Sequence, residues 1–226
     1  MTLGSPRVHR RVTGSTSLDA RELAIAGAPH GTLVTALEQT DGRGRQGRRW
    51  HASPGSALLC SLVLRDPPPL LPIAAGVAVA ELAGAQAMLK WPNDVLLDGR
   101  KVAGILIEGR PQERWAVLGI GVNVAVDLAE LPEELRESAG TLGLGVDALE
   151  PALERLLELL ERWLAAPAAE VTEAWRARDA LFGAAVSWRG GSGTGTGIDA
   201  GGRLLVSLAD GREVALDAGE VHLSDA

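Results

Sequence analysis

Short apolar runs alternate with glycine, proline and charged residues along the chain, and this pattern predicts a mixed α+β protein. The runs at 32–37, 56–64 and 115–124 are nearly continuous, which is typical of buried strands. Residues 1–6 carry no pattern and are expected to fray.

A hairpin is predicted near the middle of the chain. Asp98-Gly99 lies between two apolar runs and is typical of a two-residue turn. On the second strand, a period of two places Lys101, Ala103 and Ile105 on one face and Gly104 on the other. Lys101 would then stand at the rim of an otherwise apolar surface.

Four segments are predicted to be helices. A Ser/Thr cap region at Ser15–Ser17 precedes a short helix that ends near residue 26. Residues 70–89 are apolar on most sides, which is typical of a central helix. Helical spacing of apolar residues indicates two further helices, over 149–164 and, after a proline, over 171–182.

From residue 183 on, short apolar stretches are separated by glycine turns, and Asp210-Gly211 gives a second hairpin signal. About 40 residues are enough for a small barrel-like β module. We therefore predict two domains, a mixed-sheet α+β domain at residues 1–182 and a small β domain at residues 183–226.

The composition favours a cytoplasmic protein with no membrane partner. No apolar run approaches the roughly 18 residues of a membrane span, and no apolar stretch follows the basic residues near the start. Cys60 is the single cysteine, so an intrachain disulfide is excluded. Its apolar surroundings predict a small buried hydrophobe.

The charge is unevenly distributed. The net charge of −7 speaks against general nucleic-acid binding. Between Asp41 and Asp66, however, there is no acidic residue, and this interval contains Arg43, Arg45, Arg48, Arg49 and Arg65. An acidic protein with one concentrated basic loop is expected to hold a small anion.

The basic residues belong to a glycine-rich loop, Gly42–Trp50, with the sequence GRGRQGRRW. Glycines let a backbone approach a ligand closely, and their N–H groups can form an anion nest. Guanidinium groups match carboxylate and phosphate, and Trp50 offers a flat surface for a purine or an apolar ligand. A flexible solvated loop is the alternative, which four arginines among glycines make less favourable.

Two further segments carry polar residues next to apolar strands. Lys90, Asn93 and Asp94 precede the hairpin, where the last two are either turn formers or neighbours of nucleotide-bound Mg²⁺. Lys101 is either a solvated hairpin lysine or part of a site. Gly119 and Gly121 interrupt an apolar strand, and glycines inside a strand are tolerated where another group must approach the backbone closely. Asn123, which can donate and accept hydrogen bonds, follows them.

The sequence lacks a nucleophile elbow, a Walker loop, a zinc-protease helix motif and paired cysteines. One reaction that needs none of these groups is acyl-adenylation, because in it the carboxylate of the substrate attacks the α-phosphate itself. The protein has to orient two anions and offset their repulsion, which arginine, lysine and backbone amides can do.

Three motifs together resemble the biotin protein ligase family. They are GRGRxGRxW at 42–50, KWPNDxxxxxxKxxGIL at 90–106 and GxGxN at 119–123, in this order. The C-terminal segments around 197–205 and 219–221 are similar to the SH3-like domain of that family. The resemblance implies the biotin/lipoate ligase fold and ATP-dependent activation of biotin, with Mg²⁺, followed by transfer to a biotin carboxyl carrier protein.

The resemblance also implies roles for individual residues. The catalytic residues would be Lys101, Arg43 and Arg45. The residues that bind biotin would be Ser15, Thr16, Ser17, Gln39, Gly42, Arg43, Gly44, Arg45, Lys101 and Gly104. The residues that bind ATP or the adenylate would be Arg43, Arg45, Trp50, Lys90, Asn93 and Asn123, with Asp94 at Mg²⁺. Ser17 stands where the family usually has asparagine.

Two other functions compete with this interpretation. A lipoate or octanoate ligase or transferase would share the fold, but the first two motifs and the C-terminal β module favour biotin. A repressor that uses the arginine loop is disfavoured by the net charge of −7 and by the early start of the catalytic pattern. We therefore expect a ligase without DNA binding, which could form a homodimer.

Overall fold

The computed structural model describes residues 2–217, 219 and 221–223, without the side chains of 110 and 111. Its larger sheet has seven strands, in the order β1-β2-β3-β7-β6-β5-β4. The first pair is parallel and the others are antiparallel, so the predicted mixed sheet is confirmed. The strands are β1 (Arg7–Thr13), β2 (Leu33–Gln39), β3 (Ala57–Arg65), β4 (Met88–Lys90), β5 (Asp94–Leu97), β6 (Arg100–Arg110) and β7 (Trp115–Asn123).

The N-terminal segment was not predicted correctly. Leu3 is only 7% exposed, and the N–H of Gly4 donates to the carbonyl oxygen of Gly31, so residues 2–6 pack against the domain. β1 was missed altogether, because it is an edge strand with mostly exposed side chains and therefore lacks an apolar alternation.

The helices are α1 (Thr16–Ile25), α2 (Leu71–Ala83), α3 (Glu133–Arg136), α4 (Leu149–Ala165) and α5 (Ala168–Arg176). Of these, α1, α2 and α4 pack against the larger sheet. α2 is central, as predicted, but it is shorter than the expected 70–89. Gly84 has a φ of 111°, which ends the helix, and the apolar run then continues as strand β4.

α5 also differs from the prediction of a helix over 171–182. It begins three residues earlier and ends at Arg176. The carboxylate of Asp179 then accepts a hydrogen bond from the N–H of Leu181, and the chain turns instead of continuing as a helix. Leu181 is fully buried, so its apolar character reflects core packing between the helices and the second sheet.

The second sheet is antiparallel and five-stranded, with the order β11-β10-β9-β8-β12. Its strands are β8 (Ala185–Trp188), β9 (Gly191–Ile198), β10 (Leu204–Ser207), β11 (Glu213–Leu216) and β12 (His222–Leu223). One apolar core joins both sheets, and the indole N–H of Trp91 donates to the carbonyl oxygen of Gly202 at 3.0 Å. Of the C-terminal segment that carries the resemblance, residue 220 lies outside the described residues.

The predicted hairpin is present, but its register corrects the predicted faces. Asp98 and Gly99 both have positive φ, as a type I′ turn requires. The register then shifts: Asp94 faces Gly104, whereas Leu96 faces Lys101. Two residues of β5 therefore oppose three of β6, which is a β-bulge. Because of this bulge, Lys101 and Gly104 share a face, and the simple period of two was wrong.

Candidate functional site

A cavity of about 480 Å³ lies on the face of β6 and β7 that carries Gly104 and Gly121. The N-terminus of α1, the loop 42–50 and the segment 131–139 form its walls. It brings together every residue assigned from the family resemblance except Gly42: Ser15, Thr16, Ser17, Gln39, Arg43, Gly44, Arg45, Trp50, Lys90, Asn93, Asp94, Lys101, Gly104 and Asn123. The sequence motifs, which are far apart in the chain, therefore meet at one place.

The charge of the cavity suits an anion. Its described lining residues include six cationic side chains and one carboxylate, Asp94. The cationic residues are Arg43, Arg45, Arg48, Arg49, Lys90 and Lys101. A cleft with this excess of positive charge concentrates field lines and attracts anionic ligands, although the chain as a whole is acidic.

Uncharged polar side chains form one group at the cavity, which we call the floor: Thr16, Ser17 and Gln39 line the cavity, and Ser61 lies behind Thr16 and Ser17. The backbone N–H and the hydroxyl of Thr16 both reach Gln39 Oε1, at 2.8 and 3.1 Å. Ser61 Oγ lies 2.9 Å from Thr16 Oγ1 and 3.2 Å from Ser17 Oγ. Ser15 caps α1 without a side-chain hydrogen bond, and its hydroxyl lines the cavity beside them.

Glycines make room for this arrangement. A Cβ at Gly119 would lie 2.5 Å from Ser17 Oγ, and one at Gly121 would lie 2.6 Å from the Trp50 ring. Gly104 has the same relation to Trp50, at 3.0 Å. The prediction that something must approach the glycine-containing strand closely is confirmed, and here Ser17 and Trp50 make that approach. Gly42 does not line the cavity, and a Cβ at this position would meet the Trp50 carbonyl oxygen at 2.7 Å.

Charged side chains form a second group of lining residues, which we call the mouth: Arg43, Arg45, Asp94 and Lys101. Lys101 Nζ lies 2.6 Å from Asp94 Oδ1 and 5.8 Å from the centroid of the Trp50 ring. The backbone N–H of Lys101 donates to the carbonyl oxygen of Ser138, and its carbonyl oxygen accepts from the N–H of Gly140, each at 2.8 Å. Lys101 is thus fixed at the end of the strand and directed into the cavity.

The arginines of the loop contact groups of the protein itself. Arg43 donates to Glu108 at 2.9 Å, and Arg45 lies 3.4 Å from both Asn93 Oδ1 and the Gly219 carbonyl oxygen. Arg45 therefore connects the loop with the C-terminal segment. The ion pair between Arg43 and Glu108 is partly exposed, so an anionic ligand could replace it at little cost.

Asn123 and Trp50 carry polar atoms without a partner. Asn123 Nδ2 donates to the carbonyl oxygen of Gly140 at 2.8 Å, whereas Asn123 Oδ1 is buried and accepts no hydrogen bond. Trp50 Nε1 is likewise buried without an acceptor. Unpaired buried polar groups are costly, so both atoms are candidates for ligand contacts.

Asn93 makes two hydrogen bonds that hold the chain before the hairpin against β6. Its Nδ2 donates to the Ile105 carbonyl oxygen, and its own carbonyl oxygen accepts from the Ile105 N–H, both at 3.0 Å. Lys90 opposes Asp94 across β4 and β5 and lines the cavity. Within the described part of the chain, no group of three or more His, Cys, Asp or Glu residues could hold a metal ion.

Cys60 lies next to Ser61 in β3, with 1% exposure. Burial raises the pKa of this thiol from 9.0 to about 12, and the nearby charge of Arg7 opposes the shift only partly. The prediction of a buried hydrophobe is confirmed. Cys60 is neutral at ordinary pH and is no candidate nucleophile.

Several residues at the cavity were not found from the sequence. The segment 131–139 contributes Leu131, Leu135, Ser138 and Ala139, and the second sheet contributes His222 and Leu223. No local motif marks either segment. Ser61 did carry a signal, since it is a lone hydroxyl in the apolar run ALLCSLVL.

The sequence model of the Biotin/lipoate A/B protein ligase family matches residues 9–125, which is more than half of the chain, so the chain belongs to this family. A biotin–[acetyl-CoA-carboxylase] ligase of Mycobacterium tuberculosis is 37% identical over 239 residues, covering 93% of this chain and 86% of that protein. A ligase of the same name from Paracoccus denitrificans is 36% identical over 237 residues, covering 92% of this chain and 97% of that protein.

Other similarities concern part of a relative or the fold. The bifunctional ligase/repressor BirA of Bacillus subtilis is 42% identical over an alignment of 152 residues, which covers 62% of this chain and 47% of that protein. The chain thus spans about half the length of the BirA proteins of Bacillus that it matches. The structure of a biotin protein ligase from Aquifex aeolicus in complex with biotin and ATP is similar with a TM-score of 0.81 and 26% identity, over 97% of this chain and 100% of that one.

Proposed function

We propose that this protein is a biotin protein ligase, which activates biotin with ATP to biotinyl-5′-AMP and transfers the biotinyl group to a lysine of a biotin carboxyl carrier protein. One observation carries the proposal: a single cavity is lined both by the uncharged hydrogen-bonding groups of the floor and by the cationic side chains of the mouth. Biotin has the two corresponding parts, with an uncharged urea ring at one end and a carboxylate at the other.

The first half-reaction joins two anions. A carboxylate oxygen of biotin attacks the α-phosphorus of ATP, a P–O bond forms, and the bond to the pyrophosphate leaving group breaks. Lys101, Arg43 and Arg45 offset the repulsion between carboxylate and phosphate and stabilise the charge that develops on the phosphoryl oxygens. Since Lys101 is held by a bulge and by the backbone of 138–140, its charge is oriented before the substrates bind.

In the second half-reaction, the neutral amine of the acceptor lysine attacks the acyl carbon of the adenylate. An amide bond forms, AMP leaves, and the amine loses a proton to solvent. The carrier protein has to present its lysine at the open side of the cavity, near the loop 42–50. The loop then has two tasks, which are to retain the adenylate and to admit the acceptor amine.

The nucleotide is assigned to the side of the cavity near Asn123. Asn123 Oδ1, which has no partner, can accept a hydrogen bond from the adenine amino group, and Trp50 offers an apolar ring surface. Lys90 and Asn93 lie toward the phosphates. Mg²⁺ would reduce the charge of the triphosphate and hold its oxygens in place. Asp94 fits as one carboxylate beside a nucleotide-bound Mg²⁺, since Mg²⁺ prefers oxygen ligands and usually keeps several waters.

The remaining assignments complete the proposal. Residues 1–182 form the catalytic domain, with Ser15, Gly42, Gly44 and Gly104 shaping the biotin side, and residues 183–226 form an SH3-like domain. The enzyme acts in the cytoplasm and can form a homodimer. Among the described residues, no helix is both long and apolar enough to cross a bilayer.

A lipoate or octanoate ligase is the alternative within the same family. The floor argues against it, because the dithiolane ring of lipoate and the alkyl chain of octanoate contain no N–H or C=O group. Neither ligand could pair with the hydrogen-bonding capacity that the floor has left for a ligand, such as the lone pairs of Ser17 Oγ, and a buried polar group left unpaired costs about 1–3 kcal/mol.

The test is ATP–pyrophosphate exchange with purified protein and no acceptor. Biotin should support exchange with radiolabelled pyrophosphate, and lipoate or octanoate at the same concentration should not. Added biotin carboxyl carrier domain should then become labelled with biotin on one lysine. Exchange that depends on lipoate, or pyrophosphate release that appears only when the carrier is present, would contradict the proposal.

A further inference from the structure

Ser61 is fully buried in the apolar strand β3, and the roles proposed above assign it no task beyond its place on the floor. Its hydroxyl connects two residues of α1 that line the cavity, Thr16 and Ser17. Each of these hydroxyls has one hydrogen to donate and lone pairs to accept. The direction of the hydrogen bonds between them decides what the floor offers to a ligand.

One donor in this network has a fixed direction. The backbone N–H of Thr16 can only donate, and it lies 2.8 Å from Gln39 Oε1, which identifies that atom as the amide oxygen. An amide oxygen can only accept. The hydroxyl of Thr16, 3.1 Å from the same oxygen, therefore donates its single hydrogen to Gln39.

The other two directions follow. Because the hydrogen of Thr16 is used, the contact of 2.9 Å between Thr16 and Ser61 requires Ser61 to donate. Because the hydrogen of Ser61 is then used, the contact of 3.2 Å between Ser61 and Ser17 requires Ser17 to donate. The hydrogen bonds run in one direction, from Ser17 to Ser61 to Thr16 to Gln39, and Ser17 Oγ keeps only lone pairs.

We infer that Ser61 is a positioning residue, which fixes Ser17 as a hydrogen-bond acceptor for an N–H group of the substrate ring. The inference rests on the proposed function, in which the ring donors are the two ureido N–H groups of biotin. Ser17 lines the cavity, and the absence of a side chain at Gly119 leaves space in front of its hydroxyl. Ser61 itself does not line the cavity, so it acts through Ser17.

Without Ser61, the hydroxyl of Ser17 is free to rotate. It can then point its hydrogen at the ligand N–H, which is a repulsive arrangement, or lose rotational freedom when it accepts. The energetic consequence should appear in ground-state binding of biotin. The chemical step takes place at the mouth, and its rate should not change.

The experiment compares wild type with Ser61→Ala in ATP–pyrophosphate exchange. The substrates are biotin and its two mono-N-methyl derivatives, each of which lacks one ureido N–H. In Ser61→Ala, the KM for biotin should rise roughly fivefold to tenfold, with kcat and the KM for ATP unchanged. For the derivative methylated at the nitrogen that faces Ser17, Ser61→Ala should cause no further loss.

Two variants control for packing. Thr172→Val removes another buried hydroxyl, which donates to the Ala168 carbonyl oxygen far from the cavity, and should leave all constants unchanged. Ser61→Cys keeps a weak donor of similar size and should give an intermediate KM for biotin. If Ser61→Ala melts too early to be assayed, Ser61→Cys provides the same comparison.

The outcomes separate the two levels of the proposal. An unchanged biotin KM in Ser61→Ala would overturn the inference and leave the proposed function intact. Equal losses for biotin and for both N-methyl derivatives would also overturn it, because Ser61 would then act only through packing. If wild-type protein adenylates no biotin, both the proposed function and this inference fail.

Discussion

At the floor of the cavity, Thr16, Ser17 and Ser61 are at most 6% exposed and satisfy one another through hydrogen bonds. At the mouth, the side chains of Arg43 and Lys101 are 39% and 35% exposed, and each is paired with a carboxylate. Buried hydroxyls are costly to leave unpaired, at about 1–3 kcal/mol each, whereas an exposed ion pair contributes about 0–1 kcal/mol.

The difference indicates two kinds of preorganisation. The floor has a fixed pattern of donors and acceptors before a ligand arrives, so it can select the ring of a substrate by its hydrogen-bonding groups. The mouth keeps its cations in place through carboxylates that a ligand anion can replace. Selection of biotin and stabilisation of the transition state are therefore expected to respond to different substitutions.

The largest expected effect is at the mouth. Lys101→Ala should lower the rate of adenylate formation by about 10²–10³-fold, because one preorganised cation is lost where charge develops on the phosphoryl oxygens. Single-turnover kinetics with radiolabelled ATP measure this rate. The melting temperature should hardly change, since a partly exposed lysine contributes little to the core.

Arg100→Ala is the matched control for this variant, because it removes a positive charge from the adjacent exposed residue of the same strand. Its adenylation rate should stay near that of wild type. If Lys101→Ala also forms adenylate at nearly the wild-type rate, Lys101 is a solvated hairpin residue, and the catalytic role passes to Arg43 or Lys90.

A smaller effect is expected in the arginine loop. Arg45→Gly should release the adenylate roughly tenfold faster, because a charge-assisted contact is lost. The sequence contains only two lysines, Lys90 and Lys101, and both line the cavity. The leaked adenylate should therefore label an added lysine-rich protein more than the enzyme itself, which a streptavidin blot can measure.

Gln46→Gly controls for loop flexibility. Gln46 has a φ of 56°, a conformation that glycine adopts without strain, so the variant adds flexibility without removing a charge. It should retain the adenylate as wild type does. An unchanged off-rate in Arg45→Gly, or an equal increase in Gln46→Gly, would remove the retention role from Arg45.

A pair of glycine substitutions tests whether the floor and the nucleotide side of the cavity are independent. In Gly121→Ala, the new Cβ would lie 2.6 Å from the Trp50 ring and should displace it. The KM for ATP should then rise roughly tenfold, as expected for a lost stacking surface, with little change in the KM for biotin. Gly119→Ala places a Cβ 2.5 Å from Ser17 Oγ and should have the opposite selectivity. Equal changes of both KM values in both variants would show that floor and nucleotide side are coupled.

The smallest effect concerns the strand behind the floor. Burial raises the pKa of Cys60 from 9.0 to about 12, so the unfolded chain loses this proton first as the pH rises. The contribution of the neutral thiol to stability is complete below pH 9 and is lost progressively between pH 9 and 12. Urea unfolding should therefore give a free energy roughly 1 kcal/mol lower at pH 10 than at pH 9 from this group alone. Cys60→Ala should lack this component, and a pH dependence identical to that of wild type would show that the thiol is not buried.

Much of the site could be predicted because its residues belong to contiguous motifs. The loop Gly42–Trp50 combines arginine and glycine within nine residues, and the hairpin turn at Asp98-Gly99 needs only local backbone preferences. Such a loop composition and such a turn can be recognised in the sequence without knowledge of the partner strands. The central position of α2 could be predicted for a similar reason, since a helix that is apolar on most sides has to be buried.

By itself, the sequence determined that the chain carries a loop rich in arginine and glycine, a lysine after a tight turn and glycine-containing strands. Tertiary structure decided how these parts meet. The bulge that places Lys101 on the face of Gly104 depends on the register between β5 and β6, and one shifted residue reverses the face of a side chain. Ser61 acquired its place only because α1 packs over β3 and brings Thr16 and Ser17 to its hydroxyl. Hydrogen bonds between residues more than 40 positions apart have no local signature, so the place of Ser61 beside Thr16 and Ser17 could be recognised only in the folded chain.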